Sequence, residues 1–228
     1  MTSTVAIAGI GSKLALLIAQ ELLQHQDIHI RGSSRDISKI PNFLQDNPRV
    51  TLVQSEPFDR TSLRTLVGGS QVVVCCYFAD NETMIKGQKL LIDLCEEQGI
   101  KRFVASDYTA DYTKLDYGDI ILKDAMKTVK EYLDQNTKVE GVHILVSLFM
   151  EIWNFLIDWD PEQKVLSYYG TGDEVWEFTS YRTTAQYVAA VILDPSAHGV
   201  LKCKFIQRPW PHCDTLKTVS SPDGLKDC

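Results

Sequence analysis

The 228-residue chain has no Cys-x-x-Cys pair and no block of like charge. It also lacks an apolar run of the ~18 residues that a membrane-spanning helix needs. Each absence excludes something. Six cysteines without paired spacing, two of them adjacent at Cys75 and Cys76, read as reduced thiols and buried strand filler rather than a disulfide framework. Cys203 with His212 and Cys213 matches no standard ligand spacing, so no metal site is expected. Lys plus Arg number 23 against 30 Asp plus Glu, a net charge of -7, which argues against nucleic acid as a partner. Met1 to Thr4 runs into a strand pattern with no basic or apolar leader. The expected setting is therefore cytoplasmic, with no membrane partner.

What is present is alternation. Runs rich in β-branched residues at Thr4 to Ala8, Ile28 to Arg31, Val50 to Gln54, Gln71 to Cys76, Arg102 to Ser106 and Val142 to Ser147 read as strands. Between them Lys13 to Gln24, Thr61 to Val67, Glu82 to Glu97 and Leu122 to Gln135 carry apolar residues at helical spacing. Near-continuous apolarity in the strands means that both faces of the sheet are covered, so the expected fold class is α/β, a doubly wound parallel sheet. The divisions expected are 1–150 for a nucleotide-binding domain, 151–206 for a small C-terminal substrate region packed on it, and 207–228 for a poorly ordered tail. In the second part, Lys164 to Tyr169 and Val175 to Ser180 flank Gly170-Thr171-Gly172-Asp173, a turn signal that predicts a hairpin or paired segments. A helix from Thr184 to Leu193 and a strand from Val200 to Phe205 follow. Trp153, Phe155, Trp159, Tyr168 and Trp176 read as core and lid aromatics.

The join between the first strand and first helix, "AIAGIGSKLALL", carries Gly9 and Gly11. A pyrophosphate at such a turn needs a sharp strand exit, close backbone approach and a small residue where helix meets strand. Gly9, Gly11 or Ser12, and Ala15 supply these, with Ser12 and Ala15 standing where glycines would be more permissive. The second strand ends in Arg31 to Arg35. An acidic residue there would pair with a free ribose 2′-hydroxyl, whereas Arg31 and Arg35 suit a 2′-phosphate, so NADP is the expected cofactor. Tyr108, just past the fifth strand, is placed to donate a proton to a reduced substrate.

Several stretches together are similar to the NmrA-like family of atypical short-chain dehydrogenases, its fungal members in particular. They are "VAIAGIGSKLALLIAQELL", "QKLLIDLCEEQGIKRFVASDYTADYTKL", "KVEGVHILVSLFM" and "YYGTGDEVWEFTSYRTTAQYVAAVILDP". The resemblance implies a Rossmann-type NADP(H)-binding domain. Its members reduce small molecules, here a carbonyl, imine or activated alkene in secondary metabolism, or act as non-catalytic redox sensors. It carries cofactor contacts over to Gly9, Ser12 and Leu14, to Arg31 and Arg35, to Cys76 and Tyr77, and to the segment from Ser147 through Phe149 to Met150. Two departures stand out. The lysine that isoflavone-reductase-type relatives place beside the nicotinamide falls at Met126, with Lys127 next to it and Lys123 a turn earlier, so Lys127 is the expected catalytic and cofactor-contacting lysine. No tyrosine has a lysine four residues on, so the ordinary short-chain Tyr–Lys dyad is absent. Family members also run beyond this chain, which implies a substrate pocket left open or completed by a protein partner or a second copy.

Overall fold

The computed structural model describes residues 3–135, 138–155, 157–169, 177–203, 219–220 and 225–227. Strands and helices alternate: β1 (Ser3–Ala8), α1 (Lys13–Leu22), β2 (Ile28–Ser34), α2 (Asn42–Gln45), β3 (Val50–Gln54) and α3 (Arg60–Val67) come first. Next are β4 (Val72–Cys75), α4 (Gln88–Glu97), β5 (Arg102–Val104), α5 (Ile121–Gln135), β6 (Glu140–Leu145) and α6 (Tyr181–Leu193). A seventh strand, Gly199–Lys202, lies beside β6. The sheet order is Gly199–Lys202, β6, β5, β4, β1, β2, β3, parallel throughout. This is the doubly wound, Rossmann-like sheet that the alternation predicts. The order reverses between β1 and β4, and the crevice beyond the carboxyl ends of those strands is where such sheets take ligands.

The absence of polar alternation in the strands has a direct cause. In β1, Val5 and Ile7 face a layer built from α1 and α6, while Ala6 and Ala8 face α3, α4 and α5. Both layers are buried. Leu14, Ala15, Ile18, Ala19 and Leu22 form the buried stripe of α1, at helical spacing, and each large aliphatic among them contributes about 1.5–3 kcal/mol by leaving water. Cys75 and Cys76 are buried, as strand filler should be.

Arginines on or just before the strands close helix ends at the amino edge of the sheet. Arg102 donates to the carbonyls of Asp194, Ile192 and Val191 at 2.7, 2.9 and 3.2 Å, covering the end of α6. Arg49 does the same after α1, reaching Leu23 O at 2.7 Å and His25 O at 2.6 Å. Arg31 reaches Thr65 O at 3.1 Å and also Gly68 O, at the end of α3. The last carbonyls of a helix have no internal partner and sit at the negative end of its dipole, so a guanidinium fork satisfies both needs.

The turn expected at 170–173 lies outside the described residues. Among the described residues Val165–Tyr169 pairs antiparallel with the preceding Ile157–Asp160, and Phe178–Thr179 pairs parallel with Leu148–Phe149. The turn between the antiparallel pair is closed by Asp160, whose Oδ1 accepts from the N–H groups of Glu162 and Gln163 at 2.9 and 3.0 Å. Val165–Tyr169 also pairs with Leu225–Asp227, which pairs with Val219–Ser220. The rest of the expected tail, His212, Cys213, Trp176 and the side chains of Trp153, Phe155, Trp159 and Tyr168 lie outside the described residues. Among the described residues no helix is long and apolar enough to cross a membrane.

Candidate nucleotide site and its catalytic edge

Gly9 ends β1 with φ at +77°, the left-handed region that glycine adopts freely. Its N–H and that of Ile10 donate to Ser33 O at 3.1 and 2.9 Å, which fixes the turn against the end of β2. A Cβ at Gly9 would lie 3.0 Å from Cys76 O and 3.1 Å from the Tyr77 ring. Glycine here is thus required by the chain's own packing. Ile10 is fully buried, and Gly32 on β2 makes room for it: a Cβ at Gly32 would lie 2.3 Å from Ile10 Cδ1. Gly11 is exposed and forms the open side of the turn. Ser12 caps α1, its Oγ accepting from Ala15 N–H at 3.2 Å. That leaves the hydroxyl hydrogen and the other N–H groups of the first turn for an anion. Leu14 turns its side chain into the core, so only its backbone faces the turn.

At the end of β2 the two arginines part. Arg31 does not join the glycine turn, because its guanidinium is held at the opposite edge by α3. Arg35 is exposed and makes no hydrogen bond or ion pair among the described residues. The acidic residue that follows, Asp36, is already engaged: it accepts from Ser38 Oγ at 2.6 Å and Ser38 N–H at 3.1 Å, and pairs with Lys39. The Ser38 hydroxyl and then Lys39 hold its carboxyl below the usual range. Its carboxylate therefore serves as the cap of a short 3₁₀ turn. Arg35 is thus the exposed cation that follows β2.

Beyond β4, Cys76 is buried, and the Tyr77 ring packs against both Gly9 and Gly87. Gly87 closes a π-helical turn, Thr83–Gly87, and such turns recur at functional sites. Gln88 fastens that turn to the end of β5: it donates to Met84 O at 2.8 Å and accepts from Ser106 N–H at 2.9 Å. Ser106 Oγ in turn donates to Tyr77 O at 2.6 Å.

Tyr108 and Ser147 mark the ends of β5 and β6 with left-handed φ of 37° and 68°, strain of a kind that clusters at active sites. The loops are tied together, since Thr109 O accepts from the N–H groups of Val146 and Ser147 at 2.9 and 3.1 Å. The Tyr108 phenol points inward. It donates to Cys75 O at 3.1 Å, and burial pushes its pKa well above the ordinary phenol value. Phe149 stacks on Tyr181 with ring centroids 4.3 Å apart and packs against the core.

The two candidate lysines of α5 separate in the same way. Lys127 donates to Leu115 O and lies over the Tyr117 ring at 5.0 Å, so it holds the loop between β5 and α5. Lys123 instead donates to Thr109 Oγ1, at the joint of the β5 and β6 ends. Burial lowers its pKa, with the Asp107 carboxylate opposing that effect. A lysine shifted downward in a cleft is a better proton donor and acceptor near neutral pH than an exposed one. Thr109, and the buried Asp107 and His143 behind it, carry no motif in the sequence.

A family model described as NAD(P)H-binding matches residues 9–143, more than half of the chain. The chain belongs to that family. Among solved structures it is similar to the leucoanthocyanidin reductase–NADPH complex from Vitis vinifera, with a TM-score of 0.68 at 14% identity, covering 88% of this chain and 67% of that one. It is also similar to a short-chain dehydrogenase/reductase from Veillonella parvula in complex with NADP, with a TM-score of 0.61, 14% identity, and 89% and 94% coverage. A Rossmann-fold NAD(P)-binding protein from Shigella flexneri gives a TM-score of 0.63, 15% identity, and 87% and 90% coverage. No curated protein matches the sequence. The structural neighbours share the fold, and several are reductases or dehydrogenases.

Proposed function

We propose that the protein is an NADP(H)-dependent reductase of NmrA-like type, which delivers hydride to a carbonyl, imine or activated alkene of a small metabolite. The observation that carries this reading is the part-buried Lys123 ammonium on Thr109, at the joint of two left-handed residues on the carboxyl edge of the sheet. Gly9, Gly11 and the α1 N-terminus would hold the pyrophosphate and Arg35 the 2′-phosphate, and Cys76, Tyr77, Ser147 and Phe149 would line the nicotinamide end. The cofactor supplies the hydride. Lys123 holds or supplies the proton at the substrate heteroatom, taking the place that sequence reasoning gave to Lys127 and Tyr108.

NADPH oxidation against an aromatic o-quinone and an α,β-unsaturated ketone tests the assignment. Lys123→Met is expected to lower turnover roughly 10²–10⁴-fold with little change in NADPH affinity, the usual range for a positioned acid or base. Lys127→Met should leave turnover near wild type. The reverse ranking would reject Lys123. A second reading, a non-catalytic NADP(H) sensor, draws on the apolar side chains left exposed on this edge: Phe78 at 98%, Leu122 at 76% and Met150 at 56%. An open substrate side of this kind suits a site completed by a protein partner or a second copy. Tight NADPH binding without oxidation of either probe would favour that reading.

A further inference from the structure

Arg35 is followed directly by a carboxylate, Asp36, which by charge alone opposes a 2′-phosphate and favours a free ribose hydroxyl. Its neighbours cancel both effects. Asp36 Oδ1 accepts from Ser38 Oγ at 2.6 Å and from Ser38 N–H at 3.1 Å, and Oδ2 lies 3.2 Å from the Lys39 ammonium. One oxygen is occupied and the charge is matched, so Asp36 does not draw in the guanidinium beside it. The segment also borders the glycine turn. A Cβ at Gly11 would lie 3.5 Å from Ser34 Oγ and 3.3 Å from Ile40 Cδ1. Ser34 Oγ in turn accepts from Asp36 N–H at 3.3 Å and donates to Asp36 O at 3.2 Å.

The chain is anchored at both ends of this segment without help from the Ser38 hydroxyl or Lys39. Ser34 holds the start. At the far end Ile40 is buried, its N–H donates to Ile37 O at 3.2 Å, and its carbonyl accepts from Gln45 Nε2 at 2.5 Å. Ser38 and Lys39 are themselves exposed, and exposed contacts of this kind contribute little to stability. What they act on is the Asp36 carboxylate. We infer that Ser38 and Lys39 are positioning residues for cofactor choice: by occupying Asp36 they keep a carboxylate out of the adenosine ribose site and leave Arg35 to select NADP(H) over NAD(H). Cofactor choice by these two side chains presupposes the NADP(H)-dependent reading proposed above and adds to it a determinant that acts through Asp36. A released Asp36 has two courses. It accepts from the ribose 2′-hydroxyl of NADH, or it pairs with Arg35 and neutralises the phosphate-binding cation. Both lower the preference for NADPH.

NADPH and NADH are titrated separately by fluorescence into wild type and variants with no substrate present, so that no turnover is needed. The double variant Ser38→Ala/Lys39→Ala should lower the ratio of NADPH to NADH affinity by roughly tenfold or more, the worth of one hydrogen bond to a charged group. Adding Asp36→Asn to it should restore the wild-type ratio, because no carboxylate is left to release. An unchanged ratio in the double variant overturns the assignment. So does a fall that Asp36→Asn leaves in place, which would make Lys39 a direct contact of the phosphate. Equal weakening of both cofactors, with the ratio kept, shows a turn that has only lost its shape and overturns the assignment as well. A wild type that binds neither cofactor, or both equally, overturns the NADP(H) reading itself. A wild type that prefers NADPH, beside a double variant with the same preference, overturns the role of Ser38 and Lys39 alone.

Discussion

Replacing Arg31 by alanine separates a structural arginine from a cofactor arginine on one strand end. The guanidinium donates to two backbone carbonyls at the end of α3, Thr65 O and Gly68 O, in a partly exposed position. Hydrogen bonds to charged groups are worth about 1.5–3 kcal/mol each when well shielded, and water access reduces that here, so the pair should contribute about 1–2 kcal/mol. For a chain of this length that is roughly 2–8 °C in Tm. The two carbonyls belong to the last turn of α3 and its cap, at the amino edge of the sheet, whereas the glycine turn sits at the carboxyl edge. Arg31→Ala should therefore lower Tm in a thermal melt and leave NADPH affinity, titrated by protein fluorescence below the transition, within a factor of about two. Arg35→Ala should behave oppositely: stability unchanged, NADPH binding weaker by roughly 10- to 150-fold from losing a charge-assisted phosphate contact, and NADH binding unaffected. An Arg31→Ala protein with wild-type Tm and tenfold weaker NADPH binding would refute the argument, because it would put the guanidinium at the phosphate instead of at α3.

Gly9→Ala should cost more than about 2 kcal/mol in urea unfolding, since left-handed backbone alone costs an alanine about 1–2 kcal/mol and its methyl would press on Cys76 O. Gly11→Ala meets the end of the Ile40 side chain at 3.3 Å and Ser34 Oγ at 3.5 Å, with no backbone atom in the way and no positive φ, so it should cost far less stability than Gly9→Ala and weaken NADPH binding instead. The exposed pair Asp111–Lys202 gives the acid limb a specific contribution. Burial raises the Asp111 pKa, but the Lys202 ammonium and the Thr113 hydroxyl and N–H outweigh that and hold it at about 2. With the folded pKa below the unfolded one, the stabilisation is present above about pH 4 and lost as pH falls towards 2. The stability difference between wild type and Asp111→Asn, followed by urea midpoints, should shrink over that window; a constant difference would show that the ion pair contributes nothing.

The strands and helices were legible because their determinants are local. A strand buried on both faces must be apolar along its length, and a helix packed on one face must repeat its apolar residues every three or four positions. Those two periods alone separate β1 to β6 from α1, α3, α4 and α5, and their alternation imposes the parallel order. The antiparallel pair of Ile157–Asp160 with Val165–Tyr169 went unread because its turn depends on Asp160 capping two backbone N–H groups, a contact that leaves no apolar period in the sequence.

The site was legible only in outline. The sequence puts Gly9, Gly11 and Ser12 at the strand-to-helix turn, and puts Lys123 and Lys127 on one stripe of α5, because both follow from neighbours in the chain. It cannot say that Arg31 is drawn to the carbonyls after α3, more than 30 residues away, or that Asp36 is spent on Ser38. It cannot say which lysine the β5–α5 loop captures. Leu115 O and Tyr117 take Lys127, and Thr109 takes Lys123, a choice made by loop folding and not by helical phase. Asp107 and His143 are 36 residues apart, on different strand ends, and neither carries a motif. Their meeting is a consequence of β5 pairing with β6. Local periodicity fixed which elements exist and where a nucleotide turn lies. Which charged side chains remain free for chemistry was decided by long-range packing, since a guanidinium or ammonium goes to whichever carbonyl or hydroxyl the folded chain brings within reach.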